Sequence, residues 1–208
     1  MIRLVCIATM VLFLCVFFYL PSVYAPDRFL DQIHAEHALN ERYCGEDHAL
    51  RVLERAMTLH GDVQSAQPIS SAVGAVPASN QLDAVAAQRL AEASARLFSN
   101  QYTRSLDALL TLFLFRLSGL VEWLPLLAGF VLACLLDGGL RRSIKSKQFE
   151  QHSAEMFSAF MSLSVFTVCG FLVVALLPVT FHPFALLAPP ILVGLFGNQG
   201  IANFHARG

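Results

Sequence analysis

Charged side chains are scarce in this sequence. Asp, Glu, Lys and Arg make up only 14% of its 208 residues, while hydrophobic residues make up 56%. Soluble domains carry about 25% charged residues, and a soluble fold of this length could not bury so much apolar surface. The composition therefore predicts a membrane protein. Since the formal net charge is only -1, no broad basic surface and no direct nucleic-acid contact are expected.

The sequence has few cysteines in polar segments, and it lacks the familiar catalytic motifs. Of the five cysteines, only Cys44 lies outside an apolar run, so no disulfide framework within the chain is predicted. The sequence contains no G-x-S-x-G elbow, no glycine-rich phosphate loop and no paired intramembrane aspartates. These absences predict a protein that is not an enzyme and that has no cofactor.

Long apolar runs are what the sequence does have. A helix of about 20 apolar residues crosses the ~30 Å hydrocarbon layer of a membrane. Runs of this kind occupy residues 4–20, 106–136, 157–177 and 181–197. The predicted fold class is all-α: a polytopic membrane protein of about four transmembrane helices, with a helical extracytoplasmic region between the first and the second.

Two of these runs depart from the ideal span length. Residues 106–136 are too many for one untilted span, so a bend is expected near Ser118-Gly119 or at Pro125. Residues 181–197 are few, and Pro189-Pro190 is expected to kink them. For this last run, a re-entrant hairpin is the alternative to a span.

Basic flanks predict the orientation. Four basic residues follow the second run closely: Arg141, Arg142, Lys145 and Lys147. By the positive-inside rule they lie in the cytoplasm, together with Arg3 and Arg207, so both termini are predicted to be cytoplasmic. Val23-Tyr24-Ala25 resembles the small-residue cleavage site of a signal peptide, but Pro26 directly after it would be poorly accepted at such a cut. Because the apolar run is also longer than that of a typical signal peptide, residues 1–25 are predicted to be an uncleaved signal anchor. Removal of these residues as a signal peptide is the alternative.

The remaining domain boundaries follow from composition. Residues 26–105 are predicted to be an extracytoplasmic helical region, interrupted at Cys44-Gly45 and containing a flexible linker at 61–79. Its apolar face is predicted from Leu50, Leu53, Met57 and His60, which recur at steps of three and four. Helicity is expected to resume at Asn80. Residues 106–208 are predicted to be a three-span membrane domain with a basic cytoplasmic loop at 138–156.

One cluster in the polar region has the side chains that zinc selects: His34, His37, Cys44 and His48. Their spacing, H-x2-H-x6-C-x3-H, matches no standard zinc pattern. These four side chains are interpreted as ordinary residues of an exposed polar surface, and no metal site is predicted. Metal binding by this cluster is the alternative.

Arg116 and Glu122 lie in or near the second apolar run, where a charged residue costs about 2.5 to 3.5 kcal/mol at the bilayer centre. In one interpretation both lie at the outer interface, where Trp123 is an aromatic anchor and Arg116 snorkels. In the other, Glu122 makes a buried polar contact to another helix, and Pro125 frees a backbone carbonyl for a local partner.

Asp137 stands where the second run ends, and a carboxylate at a helix C-terminus is disfavoured by the helix dipole. Gly138-Gly139 is suited to end the helix in a left-handed turn. The chain is expected to fold back so that Arg141 or Arg142 pairs with Asp137. The alternative is a docking surface for a cytoplasmic partner.

Trp123-x-Pro125, then Asp137-Gly138 with Arg141 close behind and Phe149 further on, resembles a family of multi-span membrane proteins of conjugative plasmids and integrating conjugative elements, encoded among type IV secretion genes. The resemblance implies the inner membrane of a Gram-negative bacterium and a role in DNA transfer. It implies a non-enzymatic component or assembly factor of the transfer apparatus, whose partners are the lipid bilayer and other membrane proteins of that apparatus. Self-association stays open, and a small transporter or channel-like protein is the alternative function.

Overall fold

The computed structural model of the protein describes residues 2–65, 100–147 and 154–204, and all regular secondary structure in these ranges is helical. The helices are α1 (Ile2–Val23), α2 (Pro26–Cys44), α3 (Glu46–Ser65), α4 (Gln101–Lys147), α5 (Ala154–Val174), a 3-10 helix (Pro183–Leu187) and α6 (Ala188–Ala202). Four segments are long and apolar enough to cross a membrane: Leu4–Val23, Gln101–Lys147, Glu155–Val174 and Pro183–Ala202. The all-α class is confirmed, and these four segments are candidate spans.

The chain divides into two compact units. Unit 1 combines Met1–Phe17, Gly119–Leu177 and Phe181–Gly208, and unit 2 combines Phe18–Ser118 with Pro178–Thr180. Both α1 and α4 contribute residues to each unit. The first half of α4 belongs with α2 and α3 in unit 2, and the domain boundary near residue 105 stays a prediction.

In unit 2, α2 and α3 are separated by a single residue, as the sequence predicted. Gly45 has φ +92°, a backbone conformation that side chains with a Cβ rarely adopt, and its N–H donates to the carbonyl of Glu41 at 3.1 Å. Pro26 opens α2 in the first turn, where a missing N–H costs nothing. The interruption at Cys44-Gly45 is confirmed.

The packed face of α3 differs from the predicted one. Ala49, Val52 and Ala56 are fully buried, whereas Leu50 and Met57 are about half exposed, at 50% and 52%. The prediction of a face through Leu50 and Met57 was therefore wrong. Ala49, Val52 and Ala56 have short side chains, which allow a helix backbone to approach its neighbour closely.

The predicted linker at 61–79 begins later than expected. α3 continues through Ser65, so residues 61–65 are helical. The rest of that linker, and the helix expected to begin at Asn80, lie outside the residues that the structure describes.

α4 is one helix of 47 residues, more than twice the ~20 needed to cross the hydrocarbon layer. It runs through Pro125 and through Gly138-Gly139, so the prediction that the helix ends at Asp137 was wrong. Residues 138–147 of the expected cytoplasmic loop are helical instead. Because Asp137 lies inside the helix and not at its last carbonyls, the expected conflict with the helix dipole does not arise.

In unit 1, α5 and α6 are antiparallel neighbours. The ring of Phe157, near the start of α5, lies 5.1 Å from that of Phe204, which follows α6. A Cβ at Gly200 of α6 would lie 3.0 Å from the sulfur of Met161 in α5. The short connection between the two spans therefore folds as the sequence predicted.

The two prolines of the last run lie at the start of a helix. Pro189 and Pro190 lie in the first turn of α6, directly after the 3-10 helix Pro183–Leu187. The first turn of a helix tolerates proline, because its N–H groups have no intrahelical acceptor. Within the candidate span the prolines follow the change from 3-10 helix to α-helix, and the expected kink of that span stays a prediction. The 3-10 helix and α6 together make the candidate span of 20 residues.

α6 also runs parallel to the second half of α4. A Cβ at Gly194 would lie 3.2 Å from the ring of Phe130, and a Cβ at Gly138 would lie 2.6 Å from the backbone oxygen of Asn198. Later residues of α6 thus meet later residues of α4. The C-terminal ends of both helices and the start of α5 consequently lie at one end of unit 1.

Candidate functional site

A buried ion pair joins α2 to α4 in unit 2. The Arg116 side chain is 1% exposed, and its Nε donates to both carboxylate oxygens of Glu36, at 3.2 and 3.1 Å. Arg116 Nη2 donates to Glu36 Oε1 at 2.5 Å and to the backbone oxygen of Val179 at 2.7 Å. Planar two-point contacts of this kind are the strong form of the Arg–carboxylate pair.

The Glu36 side chain is 5% exposed, and its Oε1 also accepts from Gln32 Nε2 at 3.2 Å. The interpretation that Arg116 snorkels at the outer interface was therefore wrong. The guanidinium reaches a partner 80 residues earlier in the chain and has almost no access to solvent.

Sequence reasoning missed Glu36, although a signal was present. Phe29, Ile33, Glu36 and Asn40 are the buried residues of α2, and they recur at steps of three and four. A carboxylate within an otherwise buried stripe calls for a cationic partner on another element. Arg116, the charged residue in the middle of an apolar run, was the matching signal.

Three residues of α4 that the sequence singled out, Glu122, Trp123 and Pro125, follow Arg116 in the chain and belong to unit 1. Glu122 and Trp123 are half-buried, and Pro125 is exposed. Ser118, by contrast, is fully buried, and its hydroxyl donates to the backbone oxygen of Val52 in α3 at 2.9 Å. Ser118 thus fixes α4 against the small-residue face of α3.

A second polar cluster lies in unit 1, around Asp137. Arg141 Nε lies 2.9 Å from Asp137 Oδ2, and Asn198 Nδ2 donates to the same oxygen at 2.8 Å. The expected pairing of Asp137 with Arg141 is confirmed, but it is an i,i+4 contact within α4 and needs no reversal of the chain. Gly138 lies directly against the backbone of Asn198, where a larger residue would not fit.

Two basic side chains next to this cluster contact the end of α6. The Arg142 guanidinium lies 4.7 Å from the centroid of the Phe204 ring, and Lys145 Nζ donates to Asn203 Oδ1 at 3.3 Å. Asn198, Asn203 and Phe204 were not singled out from the sequence. Asparagines close to the end of an apolar run were the available signal.

The four zinc-type side chains fall on either side of the break between α2 and α3. His34 is exposed, while His37, Cys44 and His48 are half-buried. Partial burial raises the pKa of the Cys44 thiol, because it disfavours the charged thiolate. In the described ranges, no group of three or more His, Cys, Asp or Glu side chains is placed to hold a metal ion.

These contacts define an all-α protein with four candidate membrane spans, in which Glu36–Arg116 joins α2 to α4 and Asp137–Asn198 joins α4 to α6. The chain belongs to the DtrJ-like family, that of the IncC plasmid conjugative DNA transfer protein DtrJ, and the match covers residues 55–205. No curated protein and no solved structure matches the chain. The family's description is of conjugative DNA transfer, which is the context that the sequence resemblance implied.

Proposed function

We propose that this protein is a non-enzymatic inner-membrane component or assembly factor of a conjugative DNA-transfer apparatus of the type IV secretion kind. The observation that carries the proposal is the family match over residues 55–205, which includes three of the four candidate spans. Its partners are the bilayer and other membrane proteins of the apparatus.

The use of polar groups supports an interaction role over transport. Glu36 with Arg116, and Asp137 with Asn198, connect helices to each other. A cavity of about 220 Å³ between α5 and the start of α6 is lined by apolar residues and by Thr167. A path for a polar substrate would need more hydrogen-bonding groups than this lining offers.

The proposed placement puts both termini and the basic end of α4 in the cytoplasm, with α2 and α3 outside it. Asp137 and Arg141 then lie at the cytoplasmic end of unit 1. Their side chains are about half exposed, at 48% and 54%, so the pair remains accessible to a partner. We assign this pair to docking a cytoplasmic or membrane partner of the apparatus.

Deletion of the gene tests the functional proposal. Transfer frequency should fall when the gene is deleted from donor cells and should recover when it is supplied in trans. Supplying the gene in recipient cells, and not in the deleted donor, is the matched control and should leave transfer low. Wild-type transfer from the deleted donor would reject the proposal.

Asp137→Asn tests the docking assignment. An exposed i,i+4 pair stabilises a helix by only about 0.3–0.5 kcal/mol, and Asn can still accept the hydrogen bond from Asn198. The amount of protein in the membrane fraction should therefore stay constant. Transfer should fall, because the docking surface loses its carboxylate. Asp31→Asn, at an exposed position of α2, is the control. Full transfer by Asp137→Asn would show that the carboxylate serves the fold alone.

A further inference from the structure

Two pairs of polar side chains meet in unit 2, where the end of α3 lies beside the start of α4. His60 and Gln64 are four residues apart on α3, so they share one side of that helix. Asp107 and Thr111 have the same spacing on α4. The His60 side chain is only 14% exposed, whereas that of Asp107 is 53% exposed. A largely buried histidine thus lies beside a carboxylate that solvent reaches.

The contacts of the two His60 ring nitrogens determine where the proton of the neutral imidazole lies. Thr111 Oγ1 donates its single proton to the backbone oxygen of Asp107 at 2.9 Å, so it accepts at its 3.4 Å contact with His60 Nδ1. Gln64 Nε2, which can only donate, lies 2.8 Å from His60 Nε2. Nδ1 therefore carries the proton, and Nε2 presents a lone pair.

A second lone pair converges on the same place. Asp107 Oδ1 lies 3.4 Å from His60 Nε2 and accepts from Gln64 Nε2 at 3.2 Å. Two acceptors that face each other in this way need a donor or a cation between them, and Gln64 supplies the donor in this structure. The three atoms form a triangle with sides of 2.8, 3.2 and 3.4 Å. Ligands of one zinc-type ion, each about 2.0–2.2 Å from it, lie about 2.8–3.6 Å from one another, so the triangle has the spacing of a coordination sphere.

We propose that His60 Nε2, Asp107 Oδ1 and the side-chain oxygen of Gln64 bind a divalent transition-metal ion of the zinc class. The Gln64 amide turns over on binding, because its oxygen and nitrogen occupy equivalent positions and only the oxygen is a ligand. Three protein ligands leave the remaining coordination positions to water. Because an imidazole is one of the three, the site favours zinc-type ions over Mg²⁺ and Ca²⁺.

Thr111 is the positioning residue of this site. A metal-bound histidine almost always donates its other ring N–H to an acceptor, which fixes the tautomer and the orientation of the ring. Thr111 Oγ1 is that acceptor for His60 Nδ1. A bound ion would join the end of α3 to the start of α4, and this inference does not rest on the proposed role in transfer.

The test uses the purified full chain in detergent, prepared without a polyhistidine tag, with Zn²⁺ alone as the probe. Isothermal titration calorimetry should show Zn²⁺ binding to the wild type, and equal concentrations of Mg²⁺ or Ca²⁺ should not displace it. Thr111→Val should lower the Zn²⁺ affinity by about 10–100-fold, because His60 loses the acceptor that orients it. His60→Gln removes a ligand outright and should lower the affinity at least as much. Gln64→Glu places a carboxylate at the third ligand position and should raise it.

His34→Gln, at an exposed position of α2, is the matched control. It also removes one histidine, and it belongs to the zinc-type cluster noted in the sequence, yet it should bind Zn²⁺ as the wild type does. Loss of Zn²⁺ by His34→Gln together with retention by His60→Gln would overturn the proposal, as would equal affinity in all variants or equally strong binding of Mg²⁺. If His60→Gln does not fold, Gln64→Glu decides, because Gln64 is exposed: an unchanged or lowered affinity would then overturn the proposal.

Discussion

Glu36 and Arg116 show how one pair of residues determines the packing of two helices. Each charge costs several kcal/mol to remove from water, and the two-point contact compensates only while both partners are present. Gln32 and the Val179 carbonyl occupy further hydrogen-bonding positions around the pair. A buried pair of this kind therefore specifies which faces of α2 and α4 meet.

Removing one partner should destabilise the protein strongly. Arg116→Leu and Glu36→Leu should each cost about 3–5 kcal/mol, because each leaves an unpaired buried charge. The double variant should cost less than either single variant, since neither charge then remains. Thermal unfolding of the purified full chain in detergent measures this.

Arg104→Gln, at an exposed position of α4, is the matched control for loss of a cation. It should stay within about 0.5 kcal/mol of wild type. If Arg116→Leu were as stable as this control, the ion pair would not hold α2 against α4.

At the scale of the element, the small residues of α3 determine which face packs. Ala49, Val52 and Ala56 are buried because only short side chains allow the approach at which Ser118 reaches the Val52 carbonyl. Leu50 and Met57 lie two turns apart on a different side of the helix and are about half exposed. Volume therefore matters more than hydrophobicity at this contact.

Enlarging a residue on that face should disturb it. Ala56→Leu should destabilise unit 2 by about 1–3 kcal/mol through overpacking. Met57→Ala removes a larger apolar side chain from an exposed position and should change stability by less than about 0.5 kcal/mol. The reverse order of these two effects, in thermal unfolding of the full chain, would restore the face first predicted from the sequence.

Two adjacent glycines of α4 provide a matched pair for the contact with α6. A Cβ at Gly138 would lie 2.6 Å from the Asn198 backbone oxygen, whereas a Cβ at Gly139 would meet nothing within 4 Å. Gly138→Ala should therefore cost about 1–3 kcal/mol, because backbone cannot rotate away. Gly139→Ala should gain about 0.5–1 kcal/mol of helix stability.

The measurement is the melting temperature of each variant together with its abundance in membranes. Equal behaviour of Gly138→Ala and Gly139→Ala would mean that α4 and α6 do not approach closely at this point.

At the scale of the whole molecule, the proposed orientation in the membrane makes a direct prediction. Reporter enzymes that work only outside the cytoplasm should be active when fused after Gly61 and inactive after Ser146 and Gly208. The physical reason is the basic end of α4, which resists translocation. Activity after Ser146 would reverse the proposed placement of every helix.

Composition and local pattern alone determined the helical class, the four apolar segments, the break at Gly45 and the pairing of Asp137 with Arg141. These properties depend on residues within about a turn of one another, or on the length of an apolar run, and both can be read from the printed order. The conjugative family was also accessible, since short motifs around Asp137 carried the resemblance.

Only the tertiary structure decided that Arg116 is buried against Glu36, that α3 packs through its alanines, and that α4 continues past Gly138. Each depends on contacts between residues far apart in the chain, such as Gly138 with Asn198 or Ser118 with Val52. Many helices end at a pair of glycines, whereas Gly138 lies inside a helix and allows close packing against the backbone of Asn198. The local sequence does not distinguish a glycine pair that ends a helix from a pair that packs against another helix. The same holds for a buried charge, whose cost depends wholly on the partner that the fold brings to it.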